Sequence, residues 1–230
     1  MALSGGTTSR DPRPLPFWSP AEIDAALSQI IQQLSERRVL AYPTETVYGF
    51  GTAVDAQSVE TLVRMKRRPA GKPFLLLIDG STMLTRLDLV LTPAASRLAA
   101  AHWPGPLTLV LPGGEKRLPA RLRGPEGGIA VRWTPHEGLQ RLLRAYGDPI
   151  TSTSANLPGV PPALAASEIL QQWPAAVATG ELLVLDGGRL APSEPSTVVD
   201  CTGRRPRVIR PGAISAELLR RSVPELIGDR

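Results

Sequence analysis

The residues best suited to chemistry in this sequence are cations and hydroxyl groups in predicted loops. The first cluster is Lys66-Arg67-Arg68-Pro69-Ala70-Gly71-Lys72-Pro73, with four cations in seven residues at the predicted end of a helix. Such cations can simply complement the helix dipole on a solvated surface. Arg68 and Lys72, however, lie beyond the helix, next to prolines that restrict the loop. Because fixed cations suit the phosphates of a nucleotide, we interpret this segment as a phosphate-binding loop.

A run of small hydroxyl side chains and one amide follows the start of a later predicted strand. This run is Thr151-Ser152-Thr153-Ser154-Ala155-Asn156. It can form a helix cap or a Ser/Thr turn. It can equally bind phosphate oxygens, a ribose or a purine through hydroxyls and backbone N–H groups. The spacing alone leaves both interpretations open.

Three further segments place single polar groups at the ends of predicted strands. The segment 42–51, YPTETVYGFG, offers threonine hydroxyls, and its glycines let the backbone approach a ligand; the alternative is a glycine-rich turn with a hydrogen-bonded glutamate. Arg132 ends an apolar strand, where it could cap a helix, meet a surface acid or make a bidentate contact to a substrate carboxylate. Ser196 begins a strand and Arg210 precedes a proline. Neither of these last two residues is diagnostic by itself.

Several common kinds of site lack their residues in this chain. There is no GxxxxGK[ST] phosphate loop, no GxGxxG, and no GxSxG nucleophile motif. His102 and His136 have no HxE or HxxxH partner, so Ser–His covalent catalysis is poorly supported. The single Cys201 excludes an internal disulfide and, with two histidines, a Cys/His zinc cluster. Any nucleotide site must therefore be of another kind.

The elements that position these residues alternate between helices and strands. Ser19, Pro20 and Glu22 have the pattern of a capped helix start, and apolar residues then repeat at helical spacing. We predict helices over 19–37, 58–66, 93–101, 137–146 and 164–172, and strands over 39–42, 74–78, 107–111, 128–133, from 150, and over 182–185, 197–200 and 207–209. Mixed elements without internal repeats predict an α/β (α+β) fold, a single domain around one twisted, open, mixed sheet with flanking helices.

The composition is that of one folded domain with a modest positive charge. Hydrophobic residues make up 42% and charged residues 20% of the 230 residues, and the formal charge of +5 suits nucleotides or RNA. We predict a flexible N-terminal tail over 1–18, in which Phe17 and Trp18 could dock, a domain over 19–222 and a C-terminal tail over 223–230. No apolar stretch approaches the ~20 residues of a membrane span, and no signal-peptide core is visible, so we expect a cytoplasmic protein.

Taken together, the segments resemble the YrdC/TsaC family of threonylcarbamoyl-AMP synthases. The resemblance extends from about Val39 to Ile214 and rests on blocks that occur in the family's order. These are YPTETVYGFG (42–51), KxRP with a following KP (66–73), WPGPLTLVL (103–111), AVR (130–132), SxN (154–156), STVVD (196–200) and IRPGAI (209–214). The family's KxR…SxN tetrad is matched by Lys66, Arg68, Ser154 and Asn156.

The resemblance implies a nucleotidyltransferase of YrdC-like fold with a deep basic cavity. It implies that ATP, L-threonine and bicarbonate give threonylcarbamoyl-AMP and pyrophosphate, the first step of t6A modification of tRNA. By analogy, ATP is held by Lys66, Arg68, Lys72, Ser154, Asn156 and Arg210, and threonine by Thr44, Arg132, Ser152 and Ser196, with Arg132 on its carboxylate. We expect no metal-binding side chains and expect Mg²⁺ to arrive with ATP. The expected partners are the proteins that transfer the threonylcarbamoyl group to tRNA, and contact with tRNA itself is not required.

Two other functions fit parts of the sequence. An RNA-binding module would use its cations along a phosphate backbone, with steep salt dependence and no pyrophosphate release. The aromatic content of 4% argues against base-stacking platforms. A paralogue could instead keep the fold and carry out carbamoyl-adenylate chemistry on another acceptor.

Overall fold

The computed structural model describes residues 13–69 and 71–228. Within these residues the chain forms ten strands and eight α-helices. The strands are β1 (Leu15–Pro16), β2 (Val39–Tyr42), β3 (Gly49–Gly51), β4 (Leu75–Ile78), β5 (Leu107–Leu111), β6 (Ile129–Trp133), β7 (Ile150–Ser154), β8 (Leu182–Asp186), β9 (Thr197–Asp200) and β10 (Arg207–Arg210). The helices are α1 (Pro20–Ser35), α2 (Ala56–Lys66), α3 (Ser81–Arg86), α4 (Pro93–His102), α5 (Glu137–Tyr146), α6 (Ala166–Gln172), α7 (Pro174–Ala178) and α8 (Ala216–Ser222).

The described strands form one mixed sheet in the order β1-β8-β2-β3-β7-β4-β6-β5-β9-β10. Four neighbouring pairs are parallel, namely β1 with β8, β2 with β8, β4 with β6 and β5 with β9. The other five are antiparallel. The prediction of a single-domain fold with an open, twisted, mixed sheet and flanking helices is confirmed. Among the described residues, no helix combines the length and apolarity needed to cross a membrane.

Local sequence signals account for the first helix. Ser19 accepts a hydrogen bond from the backbone N–H of Glu22, while the Glu22 carboxylate accepts one from the backbone N–H of Ser19. This reciprocal capping box satisfies two backbone donors that a helix start otherwise leaves unpaired. The helix then buries Ile23, Ile30 and Leu34 against the sheet and α5.

The structure differs from the predicted tails. Leu15 and Pro16 form β1 beside β8, and Phe17 is 1% exposed, with its backbone N–H donating to Asp186 O at 2.8 Å. Phe17 is held because Gly138 leaves room for its ring, whereas Trp18 stays 72% exposed. At the other end, residues 223 and 226 are buried in the core. The remainder of the predicted tails, 1–12 and 229–230, lies outside the described residues.

Strand β3 is missing from the predicted list, as are β1, α3, α7 and α8, and it is the one that bears on the site. We interpreted segment 42–51 as a loop, but its glycines pair with β2 on one side and β7 on the other. A Cβ at Gly51 would lie 2.2 Å from Thr151 O and 2.7 Å from the Tyr42 hydroxyl, which donates to the same Thr151 O at 3.0 Å. Glycine is therefore required by close packing between β3 and β7, which brings the 42–51 segment next to the hydroxyl-rich strand.

Candidate functional site

A cavity of about 930 Å³ opens on one face of the sheet. Its floor consists of every second residue of neighbouring strands, because side chains of a strand alternate between the two faces. These floor residues are Ser152 and Ser154 in β7, Ala130 and Arg132 in β6, Thr108 and Val110 in β5, and Ser196, Val198 and Asp200 along β9. The alternate residues of the same strands, such as Val131, Leu109 and Val199, belong to the core. Along β5, β6 and β9 the period of two therefore separates site from core, whereas in β7 Thr153 also lines the cavity.

Lys66 is fixed at the last position of α2, where Arg67 turns the chain into the left-handed region with φ of 49°. Its side chain is nearly buried, and Nζ donates to Ser154 O at 2.5 Å and to Asn156 Oδ1 at 3.0 Å. The Ser154 hydroxyl donates to the same Asn156 oxygen at 2.6 Å. Burial, with a further contribution from the Arg68 charge, lowers the pKa of Lys66 to about 8. Two distant sequence motifs thus meet in one contact network.

Arg68 is held rigidly in the cavity wall. Its guanidinium donates to Lys72 O and Pro73 O at 2.7 Å each, donates to Thr153 Oγ1 at 2.9 Å, and stacks 4.5 Å above the ring of Phe74. These partners are neutral oxygens and a ring, so its positive charge is oriented without being neutralised by them. Burial and then the neighbouring Arg121 charge lower the pKa of Arg68 to about 10. The group is preorganised for an anion.

Arg132 lines the same cavity and is 5% exposed. It forms an ion pair with Glu45 through Nη2, and its Nε donates to Gly105 O at 3.4 Å. The second carboxylate oxygen of Glu45 accepts from the Thr134 hydroxyl at 2.8 Å. Of the three roles we considered for Arg132, the structure shows the contact with a protein acid, and this acid comes from segment 42–51.

Ser196 and Arg210 meet beside Arg132. The Arg210 Nη2 donates to Ser196 O at 2.7 Å and to its hydroxyl at 3.0 Å, and Thr108 lies 2.9 Å from that hydroxyl. A Cβ at Gly212 would lie 2.2 Å from Pro195 O, so the turn after β10 packs directly on this segment. Although Arg210 belongs to an exposed edge strand, burial of its guanidinium and the charge of Arg132 lower its pKa.

Thr44 lines the cavity as part of a Ser/Thr turn. Its hydroxyl donates to Val47 O at 2.7 Å and accepts from the backbone N–H groups of Thr46 and Val47. Thr44 and Thr46 are both nearly buried yet contribute to the cavity wall, as does Ser152. The turn and the binding interpretations of this segment are therefore compatible.

The predicted site residues fall into three groups. Arg68, Ser154, Thr44, Arg132, Ser152, Ser196 and Arg210 line the cavity. Lys66 and Asn156 lie directly against Ser154. Lys72 is exposed and does not line the cavity. Only its backbone carbonyl contacts a lining residue, by accepting a hydrogen bond from Arg68.

The site offers little to a tightly held metal ion. Across residues 13–69 and 71–228, no group of three or more His, Cys, Asp or Glu side chains is arranged to hold one. The acids in the cavity wall are Glu126 and Asp200, and Asp200 pairs with Arg207 at 3.6 Å. A Mg²⁺ ion at this site would therefore be bound chiefly by phosphate oxygens of the nucleotide and by water, as in many nucleotide sites.

Comparison with known proteins identifies the family of this chain. The model for Sua5, YciO and YrdC proteins, described as "Telomere recombination", matches residues 32–212. The chain belongs to the Sua5/YciO/YrdC family. It is 41% identical over 174 residues to the threonylcarbamoyl-AMP synthase of Escherichia coli O6:H1, a match that covers 74% of this chain and 89% of that protein.

Two solved structures of the Sua5/YciO/YrdC family resemble the fold. P. abyssi Sua5 complexed with L-threonine has a TM-score of 0.81 and 30% identity, and the match covers 94% of this chain and 62% of that one. E. coli YciO has a TM-score of 0.77 and 28% identity, covering 89% of this chain and 97% of that one. The chain thus corresponds to nearly the whole of YciO but to less than two thirds of the Sua5 chain.

Glu45 and Thr108 are among the polar residues at this cavity that were missing from the predicted set. Glu45 was recognised only as a hydrogen-bonded residue of a turn, and Thr108 was quoted within a motif without a role. The alternation of β5 could have identified Thr108, since it shares a face with Val110. The link between Glu45 and Arg132 spans 87 residues and has no local signal.

Proposed function

We propose that this chain is a nucleotidyltransferase that makes threonylcarbamoyl-AMP from ATP, L-threonine and bicarbonate, with release of pyrophosphate. The observation that carries the proposal is the cavity itself. Arg68, Ser154 and Arg132 line it together, and Lys66 and Asn156 contact Ser154, although these segments are far apart in the chain. Similarity to a protein named threonylcarbamoyl-AMP synthase supports the same reaction.

The two ends of the cavity suit the two substrates. Lys66 and Arg68, with Ser154 and Asn156, offer cations and donors for the phosphates of ATP. Arg210 lines the cavity and donates to Ser196, and we assign it to the rest of the nucleotide, where the nucleotide adjoins threonine. Arg132, with Thr44, Ser152 and Ser196 around it, offers a guanidinium for the carboxylate of threonine and hydroxyls for its polar groups. The P. abyssi Sua5 complex with L-threonine supports an amino acid in this fold. We assign Lys72 at most a peripheral electrostatic role.

The proposed chemistry requires no protein nucleophile. The amine of threonine combines with bicarbonate to give a carbamate and water, and a carbamate oxygen then bonds to the α-phosphorus as the bond to pyrophosphate breaks. Negative charge grows on the departing pyrophosphate, so the fixed charges of Lys66 and Arg68 stabilise the transition state. Mg²⁺ bound to the phosphates would neutralise part of the same charge. The protein contributes orientation and charge compensation.

The test is pyrophosphate release from ATP and bicarbonate, scanned across the amino acids. We expect release that depends on threonine, with threonylcarbamoyl-AMP identified as the product by mass spectrometry. Release with another amino acid would point to carbamoyl-adenylate chemistry on a different acceptor. Salt-sensitive RNA binding without any pyrophosphate release would support an RNA-binding module instead.

We place the reaction at the start of t6A modification of tRNA, in the cytoplasm. Its product would pass to proteins that transfer the threonylcarbamoyl group to tRNA, and these are the partners we expect. The reaction involves only small substrates, so direct contact between this chain and tRNA is not required. A transfer assay that combines this chain with such proteins and unmodified tRNA would test the assignment.

A further inference from the structure

Glu45 is the one ionic partner of Arg132 within the described residues, and it occupies only part of the guanidinium. Arg132 uses Nη2 for Glu45 and Nε for Gly105 O, while Nη1 has no protein partner among the described residues. A carboxylate can bind an arginine end-on through Nη1 and the second hydrogen of Nη2. Arg132 can therefore hold Glu45 and a ligand carboxylate at the same time.

Glu45 itself is fixed from behind. Thr134, which is fully buried, donates its hydroxyl to the second Glu45 oxygen at 2.8 Å, and that hydroxyl also accepts the backbone N–H of His136 at 3.2 Å. The Glu45 side chain is 22% exposed and does not belong to the cavity wall, whereas its neighbours Thr44 and Thr46 do. The carboxylate is thus directed at Arg132 and Thr134 and contributes nothing to the cavity wall.

Without Glu45, few interactions would hold the Arg132 side chain in its present orientation. Its remaining hydrogen bond, to Gly105 O at 3.4 Å, is long, and the guanidinium of Arg210 is near enough to repel it. Arginine has several rotatable bonds, so an unanchored side chain would lose the alignment that a bidentate contact needs. An opposing effect also exists, because the negative charge of Glu45 weakens the attraction of Arg132 for another carboxylate.

We infer that Glu45 is a positioning residue for the amino-acid end of the cavity, holding Arg132 so that its free edge faces the substrate carboxylate. This inference rests on the proposed function, in which Arg132 binds threonine. It assigns Glu45 an effect on the binding of threonine and none on the binding of ATP. It also requires that the gain in threonine binding from orienting Arg132 exceed the loss caused by the negative charge of Glu45.

Two substitutions separate orientation from charge. Glu45→Ala removes both the acceptor and the charge. Glu45→Gln removes the charge but keeps an acceptor for Arg132, while its NH₂ group donates to the Thr134 hydroxyl, which in wild type is the donor. With Glu45→Ala we expect the KM for threonine to rise about tenfold or more, because small misalignments at a binding group have effects of this size. With Glu45→Gln we expect a KM for threonine within about threefold of wild type. In both variants the KM for ATP should stay within about twofold.

A matched control is Glu137→Ala. Glu137 forms an exposed pair with Arg141 on α5, outside the cavity wall, and its loss should leave both KM values unchanged. Circular dichroism and thermal unfolding of each variant establish that it is folded. If Glu45→Ala does not fold, Thr134→Val takes its place, and Glu45→Gln serves as the conservative comparison. Thr134→Val frees one Glu45 oxygen and should raise the KM for threonine more than that for ATP.

The outcomes distinguish the inference from the proposed function. A selective rise in the KM for threonine, largely restored by glutamine, supports the inference. An unchanged or lower KM for threonine in Glu45→Ala, or equal changes for both substrates, overturns it while leaving the proposed function intact. If Glu45→Ala does not fold, an unchanged KM for threonine in Thr134→Val, or one that rises only as much as that for ATP, overturns it in the same way. A wild-type protein without threonine-dependent pyrophosphate release overturns the proposed function, and the positioning role falls with it.

Discussion

The protonation of Lys66 gives a pH dependence that can be worked out from the structure. Lys66 is nearly buried, its contacts are two neutral oxygens, and its pKa is about 8. A phosphate ligand favours the charged ammonium, so it binds the protonated protein more tightly. Deprotonation of the free protein therefore weakens binding as the pH rises through 8.

The size of the effect follows from the protonated fraction. With a pKa of about 8 in the free protein and a much higher one beside phosphate, the dissociation constant grows as 1 + 10^(pH − 8), which is about a tenfold increase from pH 7 to pH 9. Neighbouring groups do not interfere in this range, since the pKa of Arg68 is about 10 and that of Tyr48 is about 12. We expect Lys66→Arg to remain charged and to show little change between pH 7 and pH 9.

The assay is calorimetric titration with a non-hydrolysable ATP analogue at constant ionic strength. Wild type and Lys66→Arg are compared at half-unit steps of pH, and the proton uptake is read from the dependence of the heat on buffer ionisation. A wild-type dissociation constant that is flat between pH 7 and pH 9 would refute the assignment of Lys66 to the phosphates. The same tenfold change in Lys66→Arg would show that another group is responsible.

Three further predictions follow from the same contacts. Arg68→Ala should lower kcat by about 10² to 10³, the usual effect of losing one preorganised charge-stabilising donor, and an unchanged kcat would contradict its role. The same substitution should lower the unfolding free energy, measured by chemical denaturation, by about 1–2 kcal/mol, because it removes the contacts that hold its loop. Without ligand, the unfolding free energy of wild type minus that of Lys66→Met should rise between pH 8 and about pH 10. In that window Lys66 is largely deprotonated in the folded protein but still protonated in the unfolded chain, so the unfolded chain binds more protons. A difference that falls would contradict the lowered pKa of Lys66. Gly51→Ala should destabilise the fold by about 2 kcal/mol or more in thermal unfolding, because its Cβ would clash with Thr151 O, whereas Gly203→Ala, with its nearest atom at 3.9 Å, serves as a control that should have little effect.

The sequence predicted most elements because their signals are local. The capping residues of α1, the apolar spacing of α5 and the continuous apolar run of β4 each lie within one short window. Strand β3 was missed because three residues containing two glycines resemble a turn, and only pairing on both sides makes them a strand. Likewise, β1 has two residues and exists because β8 offers it an edge.

The sequence alone determined the chemical types available to this protein and the family to which its motifs point. Charges, hydroxyls and prolines at fixed spacing are properties of the chain, so Lys66, Arg68, Ser154 and Asn156 could be named in advance. The tertiary structure decided which of these groups face a common cavity and which are already paired. It brought Lys66 to Asn156 across 90 residues, left Lys72 outside the cavity wall, and joined Arg132 to Glu45. The physical reason is that contacts between distant segments depend on strand order and on the face each side chain takes, neither of which a local pattern contains.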